Sequence, residues 1–223
     1  MQPIKNAKSL AIAIVILGWI AVIAQFYLII LNRTASVGET IIRFFSFFTI
    51  LTNLLVALCF TFLLTKSSST LRSFFSRKST LTAVTVYILI VGLVYNLILR
   101  FLWQPQGLQF VVDELLHTII PILCLIFWWQ NERTKNLEWR NIFPFLIYPL
   151  LYILIILVRG SFSGFYPYPF IDVKLLGMNK VLINSGLLAI CFAVISAIFI
   201  GITRYKQSKL INNPDFQSKI GSL

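Results

Sequence analysis

The chain has 223 residues, of which 58% are hydrophobic and only 12% are charged, and its mean hydropathy is +0.88. A soluble domain carries about 25% charged residues, so this composition excludes an ordinary soluble protein and indicates an integral membrane protein. The stretches between apolar runs are at most about 20 residues long, which leaves no room for a second, soluble domain. We therefore predict one all-α transmembrane domain over residues 1–223.

Six stretches are apolar and long enough to cross about 30 Å of hydrocarbon as helices, which takes about 20 residues each. In chain order they are 9–31, 42–64, 81–103, 110–129, 143–158 and 181–203. The fifth is the shortest and contains Pro144 and Pro149, whose freed backbone groups neighbouring helices can satisfy. The sequence lacks the alternating ten-residue pattern of a membrane barrel, so it predicts a multi-pass bundle of six helices.

The first apolar run follows Lys5 and Lys8, as the apolar region of a signal peptide would. At about 23 residues it exceeds the usual ~7–15 residues of such a region, so we expect a retained helix. The three cysteines fall inside predicted spans without metal-ligand spacing, and this context favours a role in packing. They are Cys59, Cys124 and Cys191.

The 19 Lys and Arg residues give a net charge of +12, which could suggest a nucleic-acid partner. Their distribution argues against that interpretation, because 13 lie on the side of the predicted bundle that carries both termini. The positive-inside rule then predicts cytoplasmic N- and C-termini, and the basic patches are interpreted as topology signals and contacts to anionic membrane lipids. The short loops fit a bacterial plasma membrane. The 13 residues are Lys5, Lys8, Lys66, Arg72, Arg77, Lys78, Arg133, Lys135, Arg140, Arg204, Lys206, Lys209 and Lys219.

The fourth predicted helix carries the only histidine of the chain, His117. It lies about 7 residues, or about 10 Å, inside the outer end of that helix. Asp113 is one turn nearer the water on the same face, where it can accept a hydrogen bond from the imidazole or from a group that positions it. An ionisable group at this depth costs about 2.5–3.5 kcal/mol, so we expect it to face a partner inside the bundle.

Polar side chains on the second and third predicted helices reach the same depth. Ser46, Thr49 and Asn53 recur on one face of the second helix, and Thr49 is level with His117. The third helix places Asn96 at that level, with Arg100 one turn above it. We therefore predict a polar layer to which three helices contribute.

This layer has a structural and a catalytic interpretation. Ser, Thr and Asn often hydrogen-bond across packed membrane helices, and a histidine could complete such a network without any chemistry. In the catalytic interpretation a hydroxyl nucleophile, Thr49 or Ser46, is activated by His117 as general base, with Asp113 or a backbone group orienting the ring. The remaining polar side chains are candidates for stabilising an oxyanion. These are Asn53, Asn96 and Arg100.

The segment RGSFSGFYPYPFIDV, residues 159–173, lies on the predicted outer side. Its two X-Pro steps, Tyr166-Pro167 and Tyr168-Pro169, disfavour helix and predict a stiff, extended segment. Tyrosine is enriched at membrane interfaces, so an aromatic belt is one interpretation. The other is a lid over the mouth of the polar pocket, formed by Tyr166 and Tyr168.

Four segments together resemble a known family. FSFFTILTN (45–53), YNLILR (95–100), DELLHTIIP (113–121) and RGSFSGFYPYPFIDV (159–173) are similar, in this order, to a bacterial group of six-helix membrane proteins. That group is related to the androgen-induced-gene and androgen-dependent TFPI-regulating proteins of animals. The most specific pieces are the HT-Pro segment and the G-aromatic-YPF loop.

The resemblance implies hydrolysis of lipid esters by an intramembrane threonine hydrolase, with branched fatty-acid esters of hydroxy fatty acids as the substrates of the animal proteins. His117 matches the family histidine, although the following proline falls one residue earlier than in the animal pattern. An ungapped match places Ser46 at the position of the family threonine, and a gap of one residue places Thr49 there. Both residues remain candidate nucleophiles.

We therefore expect a carboxylic ester hydrolase that acts through an acyl-enzyme intermediate on a lipid ester arriving from the bilayer. No cofactor is expected, and no metal, because the sequence lacks an adequate cluster of ligands. An alternative is a lipid-binding or transport protein in which Asp113, His117 and Arg100 relay protons or hold an anionic group. A third is a scaffold without a small-molecule site.

Overall fold

A computed structural model describes residues 5–66, 69–131 and 137–211. Within these ranges the chain is helical and contains no strand, which confirms the predicted all-α class. The α-helices are α1 (Lys5–Leu31), α2 (Val37–Phe44), α3 (Phe48–Leu64), α4 (Thr70–Phe75), α5 (Lys78–Leu97), α6 (Gly107–Glu114), α7 (Ile120–Asn131), α8 (Ile142–Ser163), α9 (Val173–Leu176) and α10 (Met178–Ile211). Leu115–Ile119 forms a π-helical segment between α6 and α7, and short 3-10 turns occupy Leu99–Phe101, Trp139–Asn141 and Pro169–Ile171.

Several of these helices are suited to a membrane. Five helical stretches in the described residues are long and apolar enough to cross one, and the number rises to six if α2 and α3 form a single bent span. The five are Ala7–Leu31, Lys78–Phe101, Gly107–Asn131, Trp139–Ser163 and Met178–Ser208. They contain the first, fourth, fifth and sixth predicted spans. The third predicted span, 81–103, begins within Lys78–Phe101 and runs two residues past its end.

The prediction of one uninterrupted helix over 42–64 is wrong. α2 and α3 are bent by 68° relative to each other around residues 45–47, although no Pro or Gly is present there. Distant tyrosines satisfy the backbone groups freed at the break. The Tyr152 hydroxyl donates to the carbonyl of Ser46 at 2.8 Å, and the N–H of Thr49 donates to the hydroxyl of Tyr168 at 3.2 Å.

α5 lies at the centre of the bundle. It contacts α3, α7 and α10, and 61% of its most apolar stretch is buried, against 17% for α8. α1, α3, α5 and α7 share one apolar core, whose fully buried members include Ile14, Val56, Phe60 and Ile88. α8 and α10 pack on each other and on the opposite face of α5.

The outer faces of α8 and α10 carry large apolar side chains that are more than half exposed, such as Leu154 and Ile155 on α8 and Ile183 and Ile190 on α10. Apolar surface of this extent needs a non-aqueous environment, and lipid chains provide one.

Pro149 lies inside α8 and cannot donate to the carbonyl of Phe145. The hydroxyl of Tyr87, on α5, donates to that carbonyl at 2.8 Å. This contact confirms the expectation that a neighbouring helix compensates for a proline in the fifth span.

Basic side chains gather at the end of the bundle where α10 ends. Lys206 Nζ donates to the carbonyl of Trp129 at 2.9 Å, and Arg204 Nη1 donates to that of Leu137 at 3.4 Å. Three basic residues that contribute to the predicted orientation lie outside the described ranges. They are Arg133, Lys135 and Lys219.

Candidate functional site

The helical stretch that carries His117 is irregular at the histidine itself. Residues 115–119 form a π-helical segment, in which the N–H of Ile120 donates to the carbonyl of Leu115. Such segments are rare and often mark functional sites. Pro121 follows directly, and because it has no N–H it leaves the carbonyl of His117, four residues earlier, without its usual helical partner.

Two asparagines from neighbouring helices satisfy the carbonyls of this segment. Asn96 Nδ2 donates to the carbonyl of His117 at 3.1 Å, and Asn53 Nδ2 donates to that of Leu116 at 3.2 Å. α5 lies close to the π-helical segment at Gly92, where the residue has no side chain. A Cβ atom at this position would lie only 3.0 Å from the His117 carbonyl oxygen. The two amides thus fix the backbone on which His117 is mounted.

The imidazole of His117 is held from two directions. Its Nδ1 lies 2.9 Å from the main-chain oxygen of Asp113, and its ring stacks on that of Tyr95 with centroids 3.9 Å apart and an interplanar angle of 13°. A carbonyl oxygen can only accept, so in the neutral ring this contact assigns the proton to Nδ1 and leaves a lone pair on Nε2. The sequence left open whether the Asp113 side chain or a backbone group orients the imidazole. In the structure a backbone group, the main-chain oxygen of Asp113, contacts the ring.

The carboxylate of Asp113 is buried and accepts three hydrogen bonds from uncharged donors. Tyr95 Oη lies 3.2 Å and Trp103 Nε1 3.0 Å from Oδ2, and Gln109 Nε2 lies 3.1 Å from Oδ1. Asp113 therefore contacts His117 directly through its own main-chain oxygen. It also contacts His117 indirectly, because Tyr95, which is hydrogen-bonded to the carboxylate, stacks on the imidazole.

Arg100 lies beside this segment, with its guanidinium carbon 5.1 Å from the ring centroid of Tyr95. Its Nε donates to Asn96 Oδ1 at 3.0 Å, its Nη2 donates to Thr118 Oγ1 at 3.1 Å, and its Nη1 forms an ion pair with Glu114. Arg100, Asn96 and Asn53 are therefore occupied by contacts within the protein. Their proposed role in stabilising an oxyanion stays a prediction, and these contacts do not aim them at a common point.

The two candidate nucleophiles have different surroundings. Thr49 lies in the first turn of α3, with its Oγ1 3.3 Å from the hydroxyl of Tyr168. Ser46 lies in the break before α3, where its hydroxyl donates to the carbonyl of Ile42 at 2.7 Å and only 3% of the residue is exposed. Thr49 faces open space, as the cavities show, whereas Ser46 lines neither cavity.

A half-open cavity of about 460 Å³ joins three residues of the predicted polar layer. Thr49, Asp113 and His117 line it, together with Tyr95 and Tyr168. The rest of its wall is mainly apolar and comes from α1, α2, α3 and the segment around residues 99–103. No hydrogen bond among the described residues joins Thr49 to His117 directly, and the two residues are linked only by their shared place in the wall of this cavity.

A second, narrower cavity of about 80 Å³ lies on the other side of Tyr168. Its wall is almost entirely apolar and is formed by α3, α5, α8 and α10 with the 3-10 turn at Pro169–Ile171. Thr49, Leu99 and Tyr168 line both cavities. Thr49 is therefore a polar side chain at the boundary between two spaces.

The two tyrosines predicted as a lid have different positions. Tyr168 lines both cavities, whereas Tyr166 packs against Gly160 of α8 and lines neither. A Cβ atom on Gly160 would overlap the Tyr166 ring, so glycine is needed at this contact. Movement of this segment as a lid stays a prediction.

Two arginines contact Phe165, at the beginning of the segment 164–171 that carries Tyr166 and Tyr168. Arg43 Nε and Arg159 Nη2 each lie 2.8 Å from Oε1 of Glu39. Their guanidinium carbons stand 4.6 Å and 5.2 Å from the ring centroid of Phe165, within the range of cation–π contacts. α2, α8 and the segment 164–171 are thereby tied together beside the cavity.

Sequence reasoning missed the side chains that hold Asp113. Gln109 precedes Asp113 by four residues, and this spacing could have placed it on the same helical face. Tyr95 and Trp103 carried only the general signal of aromatic residues near a membrane interface, which does not predict hydrogen bonds to a carboxylate. Gln25, which accepts from Gln109 at 2.8 Å, brings α1 into the network.

The part of the chain that the structure describes contains no group of three or more His, Cys, Asp or Glu side chains that could hold a metal ion. We also compared the chain with protein-family models, curated proteins and solved structures, and nothing in the three comparisons matches it.

Proposed function

We propose that this protein is an intramembrane hydrolase of lipid esters, with Thr49 as nucleophile and His117 as general base. The observation that carries the proposal is that a threonine hydroxyl and a histidine in a fixed tautomer line the same half-open cavity. A hydroxyl is a weak nucleophile unless a base removes its proton, and a cavity that brings both to one carbonyl meets that requirement. The family resemblance of the sequence points to the same chemistry.

The reaction follows from these positions. Thr49 Oγ1 bonds to the ester carbonyl carbon, its proton passes to His117 Nε2, and the carbonyl electron pair moves to the oxygen. The intermediate collapses, the bond to the alcohol breaks, and the alcohol takes the proton from His117, leaving an acyl ester on Thr49. Water then attacks that ester with His117 again as base, the acid leaves, and Thr49 regains its proton. The site supplies its own base, so the step needs no metal.

Thr49 is the better supported nucleophile. It lines both cavities, whereas Ser46 donates its hydroxyl proton to the carbonyl of Ile42 in α2 and lines neither. The position of Thr49 at the boundary suits an ester whose two arms extend into different spaces. The apolar walls suit hydrocarbon arms, since long acyl chains need no water path.

The proposed setting is a bacterial plasma membrane that the chain crosses six times, with α2 and α3 counted as one bent span and both termini in the cytoplasm. The excess of Lys and Arg at the end where α10 finishes supports this orientation. It places the cavity in the outer half of the bilayer, where membrane lipids could supply the substrate by lateral diffusion.

Ester turnover by the detergent-purified full-length protein tests the proposal. With p-nitrophenyl octanoate as substrate, we expect hydrolysis by the wild type and by Ser46→Ala, reduced hydrolysis by Thr49→Ser, and none above background by Thr49→Ala or His117→Ala. Thr49→Ser is the matched control, because it keeps the hydroxyl. Full turnover by a folded His117→Ala protein would contradict the mechanism and would favour lipid binding or transport at the same cavity.

A further inference from the structure

The hydroxyl of Tyr168 contacts the candidate nucleophile twice. It lies 3.2 Å from the backbone N of Thr49 and 3.3 Å from Oγ1 of the same residue. These contacts join positions 119 residues apart in sequence, one in the first turn of α3 and one in the segment between α8 and α9. Tyr168 is therefore in direct contact with the atom that the proposed reaction makes nucleophilic.

The backbone contact fixes one of the hydrogen bonds of the Tyr168 hydroxyl. An N–H can only donate, so the Tyr168 oxygen accepts from Thr49 N. Its own proton can go to Thr49 Oγ1 at 3.3 Å or to the neighbouring Tyr152 hydroxyl, and a substrate oxygen would take the place of that acceptor. Accepting a hydrogen bond polarises the O–H group and makes it a stronger donor. The amino end of α3 adds a positive partial charge at the same place, which also favours negative charge developing nearby.

The three side chains that the sequence proposed as oxyanion donors, Asn53, Asn96 and Arg100, line neither cavity and have partners within the protein. Asn53 and Asn96 donate to main-chain carbonyls, and Arg100 is bound to Asn96, Thr118 and Glu114. Tyr168, in contrast, lines both cavities beside Thr49. A substrate carbonyl placed for attack by Thr49 Oγ1 would bring its oxygen close to this hydroxyl.

The ring of Tyr168 is held by its neighbours. It stacks on Phe170 with centroids 5.2 Å apart and an interplanar angle of 4°, and it meets Phe47 edge-on at 5.8 Å. Prolines at 167 and 169 restrict the backbone on both sides. A donor that is positioned before the reaction stabilises developing charge without reorganising, which makes such donors effective in catalysis.

We propose that Tyr168 is a further catalytic residue, whose hydroxyl donates to the ester oxygen as that oxygen becomes an oxyanion. This inference rests on the proposed function. When Thr49 Oγ1 bonds to the carbonyl carbon, the electron pair of the C=O bond moves to the oxygen, which accepts the Tyr168 hydrogen bond. The Tyr168 proton stays on the phenol throughout, and the pair returns to the carbonyl when the bond to the alcohol breaks.

Tyr168→Phe removes only the hydroxyl and tests this role in the full-length protein. With p-nitrophenyl octanoate we expect kcat to fall about 100- to 1,000-fold, as for loss of one oxyanion donor, with KM almost unchanged. Tyr166→Phe is the matched control, because the Tyr166 ring packs on α8 outside both cavities, and it should keep wild-type kcat.

A ketone that mimics the tetrahedral intermediate separates this role from a structural one. Octyl trifluoromethyl ketone adds the nucleophile and forms an oxyanion, so Tyr168→Phe should weaken its inhibition by about the same factor as kcat falls. Inhibition by the unreactive octanamide should not change. A loss confined to KM, or an unchanged ketone affinity, would overturn the inference.

The outcomes also separate this inference from the proposed function. Absence of turnover in the folded wild type would refute the hydrolase and the role of Tyr168 together, whereas equal turnover by wild type and Tyr168→Phe would overturn only the latter. If Tyr168→Phe fails to fold, 3-fluorotyrosine at position 168 replaces it, because its hydroxyl is a more acidic donor of nearly the same size. Tighter binding of the ketone would then support the inference, and unchanged binding would overturn it.

Discussion

The side-chain amide of Asn96 donates a hydrogen bond of 3.1 Å to the main-chain oxygen of His117, the carbonyl that Pro121 leaves without a helical donor. A proline and an asparagine from different helices thus form one unit. Asn96 also donates to the carbonyl of Gly92 in its own helix at 2.9 Å, so it ties α5 to the π-helical segment that carries the candidate base.

This unit predicts a dependence between two substitutions. Asn96→Ala should lower the free energy of unfolding by about 1 kcal/mol, because it leaves a buried carbonyl unsatisfied. In a Pro121→Ala background the new N–H at position 121 can donate to that carbonyl. Asn96→Ala should then lower the free energy of unfolding by less than it does in the wild type. Unfolding in mixed micelles by titration with sodium dodecyl sulfate measures both costs.

Asn131→Ala is the control for this cycle, since Asn131 donates to a carbonyl of its own helix at 2.8 Å, away from the π-helical segment. Its cost should be the same with Pro121 or Ala at position 121. An equal cost of Asn96→Ala in both backgrounds would contradict the compensation described here.

Tyr95 should influence turnover through the stack that it makes on His117. Tyr95→Leu removes an aromatic contact of about 0.5–1.5 kcal/mol and should lower kcat about 3- to 10-fold. Tyr95→Phe keeps the ring and loses only the hydrogen bond to Asp113, so its kcat should lie closer to that of the wild type. Steady-state kinetics on the purified variants would decide, and a larger loss in Tyr95→Phe than in Tyr95→Leu would show that the hydroxyl matters more than the stack.

Gly160 should be needed for activity although it lies outside both cavities. In Gly160→Ala the new methyl group overlaps the Tyr166 ring, so the segment that carries Tyr168 must shift. Because a displacement of about 1 Å can cost about 100-fold in rate, we expect kcat to fall at least about tenfold. Gly186→Ala, in α10, is the matched control, since a methyl group there meets no atom within 4 Å. Equal activity of the two variants would argue against a fixed position of this segment.

The proposed orientation can be tested with single cysteines in a background where the three native cysteines are replaced by alanine. Asn179 and Ser73 are exposed and lie in the first turn of α10 and in α4, respectively. In intact cells a membrane-impermeant maleimide should label Asn179→Cys and leave Ser73→Cys unlabelled until the membrane is opened. The opposite pattern would invert the orientation and place the cavity in the inner half of the bilayer.

Much of the fold follows from apolar runs alone. Four of the six predicted spans lie within long helical stretches and a fifth, 81–103, overlaps one as far as residue 101, because the length and hydropathy of a run determine whether it can fill the width of a bilayer. The bend at residues 45–47 did not follow from the sequence. The groups that stabilise it are the hydroxyls of Tyr152 and Tyr168, more than 100 residues away.

The candidate site was predictable in position and less so in its contacts. Depth along each helix placed Thr49 and His117 at one level, and the structure brings both to one cavity. The contacts between these side chains depend on the rotation of each helix about its axis and on the π-helical segment. Pro121 was the only sequence signal for that segment. For this reason the carboxylate of Asp113 contacts Tyr95 and the imidazole of His117 contacts a backbone carbonyl.

The central claim is that Thr49 acts as a covalent nucleophile with His117 as its base, and labelling with a fluorescent fluorophosphonate tests it most directly. The account predicts that the purified wild type and Ser46→Ala are labelled, that peptide mass spectrometry places the adduct on Thr49, and that Thr49→Ala and His117→Ala are not labelled. An adduct on Ser46, or a folded wild type that is not labelled while it retains its native unfolding transition, would contradict the claim.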